Sequence, residues 1–292
     1  MAETSASGQP ADGPQTTGHA WDGIREYNNP LPRWWLYTLY ATIVWSMGYW
    51  VLYPAWPMVS GYTAGLLGYS QRATVLGEIE AVRHARDARG RTQLASATVA
   101  EIRADPALLR LALATGKAAF GDNCAACHGT SATGRIGYPN LQDDDWLWGG
   151  TPEEIERTIR FGARSAHGET HLGDMPAFGR DGILTRPEVE AAATYVLSLS
   201  GKPGVAGASV EKGAEVFAGN CAACHGAEAK GNPEMGAPNL TDAIWLYGSA
   251  PEQVVATITG GRRGVMPAWE GRLDPATIKS LAVYVHGLGG GR

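Results

Sequence analysis

Cysteine, phenylalanine and charge are all scarce in this sequence. Of 292 residues, four are cysteine, four are phenylalanine and 18% are charged. Cys124, Cys127, Cys221 and Cys224 all fall in two short repeats, so none remains for a disulfide framework. Excess positive charge is also missing. The formal net charge is −5, which removes nucleic acid from the candidate partners. No β-type alternation of any length appears, which points to an all-α class. No cleavable signal peptide is read at the N-terminus. With 39 glycines and 17 prolines, the chain favours turns over long surface helices.

Residues 1–30 open with small and polar residues that cannot bury enough surface to fold alone, and a disordered tail is expected there. From Trp34 to Trp56 there is no charged residue. The stretch is long enough to cross a hydrocarbon core of ~30 Å, and it carries Trp34, Trp35, Tyr53 and Trp56 at its ends like an aromatic belt. A single transmembrane anchor is therefore expected over 31–58. Arg25 and Arg33 precede it, and the next basic residue is Arg72, so the N-terminus is expected in the cytoplasm and the rest outside. Thr38, Thr42 and Ser46 form a hydroxyl stripe, with Trp45, Tyr49 and Tyr53 beside it. The stripe reads as a packing face for partner helices, against the alternative that the hydroxyls bond their own helix.

A partly helical connector is expected over 59–106, with Asp105 and Pro106 opening the next helix as N-cap and first residue. Beyond it the chain repeats itself. "GDNCAACHGT" returns as "AGNCAACHGA", each preceded by Gly-x-x-x-Phe, at Gly116/Phe120 and Gly213/Phe217. The segments around "YPNL" and "APNL", and those around "DMPAF" and "VMPAW", also correspond. Two helical domains follow, 107–200 and 210–292, joined by a Gly/Pro/Ser linker at 201–209.

Cys-x-x-Cys-His admits three chemistries. A redox dithiol requires a thioredoxin-like βαβ setting, which is absent. A zinc site requires four ligands, and a histidine adjacent to the second cysteine is poorly placed to share a metal with it. The third is covalent c-type haem, in which both thiols add to vinyl groups and His128 or His225 coordinates the iron. Each repeat then offers one Met-Pro pair, Met175-Pro176 and Met266-Pro267, as a source for the sixth ligand. Met235 competes in the second repeat, and His167 or His171 in the first. Pro139 and Pro238 are placed to accept from the histidine Nδ1–H. Trp146 and Trp245 either wall the haem and reach a propionate or pack in the core.

These residues, with Tyr195 and Tyr284 on the last helices, resemble class I cytochrome c domains. The fold expected is all-α: one transmembrane helix followed by two tandem class I domains whose first and last helices cross. The whole arrangement resembles the dihaem subunit of cbb3-type cytochrome c oxidases. The resemblance implies two covalent haems c. Cys124, Cys127, Cys221 and Cys224 supply the thioethers, His128 and His225 the proximal ligands, and Met175 and Met266 the distal ones. It further implies electron transfer, without catalysis of its own, from a soluble or anchored donor cytochrome c to a monohaem cytochrome subunit. The haem–copper catalytic subunit that reduces oxygen follows, at a bacterial inner membrane with the haem domains periplasmic and lipid around the anchor. An anchored dihaem cytochrome serving a periplasmic dehydrogenase is the alternative. A peroxidase, which needs an open iron position, is disfavoured by the two Met-Pro pairs. "DDDW" and "PEEIE" make the first repeat the more acidic, a docking face for a basic donor.

Overall fold

The computed structural model describes residues 15–290. It divides between Val82 and Arg83 into two compact units.

The first unit opens with strands β1 (Thr16–Trp21) and β2 (Ile24–Tyr27), paired antiparallel with Trp21 opposite Ile24. Of the disordered N-terminus expected over 1–30, residues 1–14 lie outside the described residues, and the hairpin corrects the expectation for the remainder. The cause is local: Asp22 and Gly23 take φ of 51° and 83°, the left-handed pair that a tight hairpin turn requires. Helix α1 (Arg33–Leu52) follows and ends at Tyr53, just before Pro54. Its hydroxyl stripe is satisfied internally: Thr38 donates to Trp34 O at 2.9 Å, Thr42 to Leu39 O and Ser46 to Thr42 O, both at 2.8 Å. The hydroxyls thus bond their own helix, the alternative weighed against a packing face for partner helices. Neither α1 nor any other helix among the described residues is long and apolar enough to cross a membrane. The anchor expected over 31–58 is thus met only in part. The helix carries no charge beyond Arg33, but four tryptophans and three tyrosines replace aliphatic residues. The short pair β3 (Pro57–Met58) and β4 (Gly61–Tyr62) turns the chain, and Leu66 and Leu67 donate back to Val51 O and Leu52 O. Strands are thus present, if few, in a chain expected to be all-α.

The division between units falls within α2 (Gln71–Ala88), none of whose residues is buried. In the second unit, α3 (Arg91–Ser96) and α4 (Val99–Ala104) bury Leu94, Val99 and Ile102 against Ala112, Ala276 and Val283. Lys279 Nζ donates to Ala95 O at 2.8 Å and to Ala97 O. The end of the expected connector is therefore part of the core. Asp105 caps α5 (Pro106–Asn123), accepting from the amides of Ala107 and Leu108. One-turn helix α6 (Ala125–His128), α7 (Pro152–Phe161), α8 (Arg186–Leu199), α9 (Val210–Asn220), one-turn α10 (Ala222–His225), α11 (Pro251–Gly260) and α12 (Pro275–His286) complete the unit.

The helices do not pair as two consecutive domains. The first helix of repeat one, α5, packs on the last helix of repeat two, α12, while α8 packs on α9. One apolar core joins Phe120, Ile155 and Ile159 to Ile278, Leu281 and Val285. The other joins Val189, Ala193 and Leu197 to Val216, Val254 and Ile258. The repeats 107–200 and 210–292 thus each contribute helices to both modules. One module, α8 to α11, is nested in the chain between α7 and α12 of the other. Both crossings use the same complementary parts. A Cβ on Gly116 would strike Ser280 O and the Tyr284 Cβ, and one on Gly213 would strike Ala191 O and the Tyr195 Cβ. Beside them, Phe120 meets Tyr284 at 5.5 Å and Phe217 meets Tyr195 at 5.3 Å between ring centroids. Equivalent interfaces can be exchanged without loss of contacts, which is the physical basis of element swapping. The expected linker at 201–209 instead folds back on α8: Val205 N donates to Thr194 Oγ1 at 3.0 Å and Lys202 N to Leu197 O at 2.9 Å.

A double-mutant cycle reads this pairing directly. Phe120→Leu and Tyr284→Leu are expected to be coupled by about 1 kcal/mol in thermal or denaturant unfolding. Phe120→Leu and Tyr195→Leu are expected to be additive, because that pair is not in contact.

Candidate functional site

Each Cys-x-x-Cys-His run is wound by the end of a first helix. Cys124 caps α5, its amide bonded to Phe120 O at 2.9 Å, and the single turn α6 brings the His128 amide to Cys124 O at 3.0 Å. Cys221, α10 and His225 repeat that geometry at 2.8 and 3.0 Å. One turn therefore projects both thiols and the imidazole toward one cavity. His128 Nδ1 donates to Pro139 O at 3.0 Å and His225 Nδ1 to Pro238 O at 3.0 Å. This fixes the tautomer and leaves each Nε2 with its lone pair free.

Two cavities, of about 500 and 220 Å³, hold these runs. The larger is lined by Cys124, Cys127, His128, Trp146 and, from the far end of the chain, Met266. The smaller is lined by Cys221, Cys224, His225, Trp245 and Met175, with Met235 also on its wall. The two methionines are therefore exchanged relative to the order of the repeats. Each lies in a two-bond antiparallel bridge. Ala163 and Met266 exchange backbone bonds of 3.1 and 2.9 Å, Met175 and Arg262 bonds of 3.0 and 3.1 Å. Met175 packs into one apolar core and Met266 into the other, whereas Met235 is 44% exposed. Neither cavity is lined by His167 or His171. His167 contacts Glu270 Oε2 at 3.2 Å, and His171 bonds Thr158 Oγ1 while stacking on Trp148 at 4.3 Å.

The electrostatics suit neutral donors. Burial, aided by the neighbouring cysteine, pushes the Cys124 and Cys221 thiols up to about 11. These are not the low-pKa thiolates of a redox dithiol. Burial also holds His128 and His225 below the usual imidazole range, despite the carbonyl each one meets. Among the described residues, no three His, Cys, Asp or Glu side chains converge as a bound cation requires.

The residues fit a covalent haem on three counts. Paired thiols sit on one turn, the imidazole nitrogen is unprotonated, and a thioether stands in the same cavity. A fourth sign is an orphan donor. Trp245 Nε1 is buried without a hydrogen-bond partner on the wall of the smaller cavity, where an acidic group would satisfy it. Trp146 differs, since its Nε1 donates to Asp143 O at 3.0 Å.

Sequence reading missed the seam between the cavities: Leu147, Arg164, Leu246 and Tyr247 line both. Gly137 N donates across it to Leu246 O at 2.8 Å. The aligned "FGAR" and "GGRR" ends of α7 and α11 were the available signal. In the acidic run Asp144, Glu153 and Glu154 are exposed. Asp143 and Asp145 are partly buried, and burial with repulsion from Asp242 and Asp143 pushes Asp145 up to about 6.

Residues 13–60 match the family model described as the N-terminal domain of cytochrome oxidase-cbb3, FixP. Residues 111–196 and 208–285 match the model for cytochrome C oxidase, cbb3-type, subunit III. The chain is 59% identical, over 96% of both chains, to the cbb3-type cytochrome c oxidase subunit FixP of Bradyrhizobium sp. (strain ORS 278). It is 53% identical to subunit CcoP of Cereibacter sphaeroides, over 95% of this chain and 96% of that one. To subunit FixP of Rhizobium meliloti it is 52% identical over the full length of both.

Asp145 yields a pH test. Its folded value lies above the ordinary 3.8, so its stabilising contribution is complete below that value and is lost as pH rises through about 6. Asp145→Asn is expected to flatten the fall in unfolding free energy between about pH 4 and 6, measured by denaturant unfolding, and to raise stability at neutral pH.

Proposed function

The chain belongs to the family of cbb3-type cytochrome c oxidase subunits III, and on that footing we propose how its two cavities serve electron transfer. It is an electron-transfer cytochrome subunit of that oxidase, it works alongside the other oxidase subunits, and its family carries covalently bound haem c. The proposal concerns number, ligands and setting. Each cavity takes one haem c, so the chain carries two. Cys124 and Cys127 form the thioethers of one, with His128 and Met266 as axial ligands. Cys221 and Cys224 hold the other, with His225 and Met175. The observation that carries this pairing is the lining of the cavities, in which each histidine meets the methionine of the other repeat.

A haem so held supplies one-electron storage at iron and no vacant coordination position for oxygen or peroxide. The chain's own residues do the rest. Pro139 O and Pro238 O orient the proximal imidazoles and increase their donor strength. The apolar walls exclude water, and the thioether ligands raise the potentials relative to two imidazoles. Trp245 Nε1 is the donor available to a propionate in the smaller cavity. Leu147, Leu246 and Tyr247 line both cavities, so groups held in them would share a wall of side chains through which an electron could pass.

The setting we propose is membrane association through α1, with the N-terminus cytoplasmic and the haem modules periplasmic. Support comes from the absence of charge between Trp34 and Trp56, from the aromatic residues at both ends, and from hydroxyls already satisfied within the helix. Electrons enter from a donor cytochrome c and leave through the monohaem subunit to the haem–copper subunit.

Single-haem chains test the ligand pairing. With Cys221→Ala and Cys224→Ala, Met266→Ala is expected to abolish the sulfur-to-iron charge-transfer band of the remaining ferric haem and lower its potential. Met175→Ala is expected to leave both unchanged. The reverse result returns each ligand to its own repeat, and a band indifferent to both changes overturns methionine ligation.

A further inference from the structure

Arg164 joins the two methionine segments at equivalent points. Its Nε donates to Gly264 O and its Nη1 to Gly173 O. Gly264 lies two residues before Met266, and Gly173 two residues before Met175. One guanidinium, half-buried and lining both cavities, thus spans the approaches to both distal sulfurs. Its own backbone is anchored as well: Arg164 N donates to His171 O at 2.7 Å, and the preceding Ala163 is bridged to Met266. The side chain also stands 5.7 Å from the Trp148 ring, which stacks on His171.

Two features mark this as more than a surface arginine. Arg164 holds φ at 52°, a conformation L side chains rarely adopt, so the fold accepts backbone strain to aim it here. The aligned residue of the second repeat, Arg263, does not copy the role. It is largely exposed and approaches Asp174 at 3.8 Å. The two-fold likeness of the modules is therefore broken at this point, and one side chain serves both loops. A rigid fork with several donors suits two carbonyls in different segments, whereas a lysine ammonium has only a point to offer.

We propose that Arg164 is a positioning residue that clamps the Met175 and Met266 segments into one unit, so that thioether ligation at both irons strengthens or weakens together. This rests on the methionine ligation proposed above. Loss of the clamp removes the tie shared by the two loops, leaving each to its own bridge and its packing against a core.

The test is displacement of methionine by imidazole in the full-length ferric protein carrying both haems. It is followed by loss of the sulfur-to-iron charge-transfer band, with the two haems separated by their EPR signals. Arg164→Gly suits the left-handed backbone, so it removes the clamp without adding strain. It is expected to lower the imidazole concentration for half-displacement about tenfold at both haems, as the loss of bonds to a charged donor implies. Arg164→Lys is expected to restore resistance at one haem at most. Unchanged displacement in Arg164→Gly, a shift confined to one haem, or full rescue at both by lysine would overturn the clamp. A wild-type protein without the charge-transfer band would overturn the ligation reading itself, and the clamp with it.

Discussion

Two helix crossings carry the architecture of the haem unit, and both depend on a glycine. At Gly116 and Gly213 the first helix of one repeat lies so close to the last helix of the other that a single added carbon would enter a backbone carbonyl. Such an approach lets Phe120 settle against Tyr284 and Phe217 against Tyr195, closing one end of each core. It also sets where each Cys-x-x-Cys-His turn begins, because Cys124 and Cys221 cap those same first helices. Helix crossing, core closure and presentation of the thiols are thus one constraint seen at three scales.

From that constraint follows the nested topology. The two crossings are chemically equivalent, so nothing in either interface demands that its helices come from the same repeat. The short stretch at 201–209, pinned to α8 through Thr194, feeds α8 directly into α9 and makes the intervening module continuous in sequence. The other module must then be completed by α12, and the Met266 loop comes with it. The two pockets share a wall, so the arrangement fixes the gap between them.

Much of the site was legible because its chemistry has a rigid spacing. Two thiols and an imidazole must lie together, and Cys-x-x-Cys-His sets them on one turn; the proline carbonyls follow from the need to orient the ring. Pairing was not legible, since a repeat tells which kind of helix meets which, not which copy. Arg164 was hidden for another reason: its value lies in reaching two carbonyls far from it in the chain, and no local pattern records that. In the first unit the hairpin was readable in principle from Asp22-Gly23, but the polar composition around it drew the reading toward disorder. The anchor segment shows the limit of counting uncharged residues, for rings of tryptophan and tyrosine fill the same length with less apolar character than aliphatic side chains.

The central claim is that each haem takes its sulfur ligand from the other repeat. Proton NMR of the reduced protein with labelled methionine methyl groups addresses it directly, since a methyl bound over a haem is shifted strongly upfield by the ring current. The expected result is a nuclear Overhauser contact from the Met266 methyl to the haem linked to Cys124 and Cys127, and from the Met175 methyl to the haem linked to Cys221 and Cys224. Contacts from each methyl to the haem of its own repeat would contradict the claim.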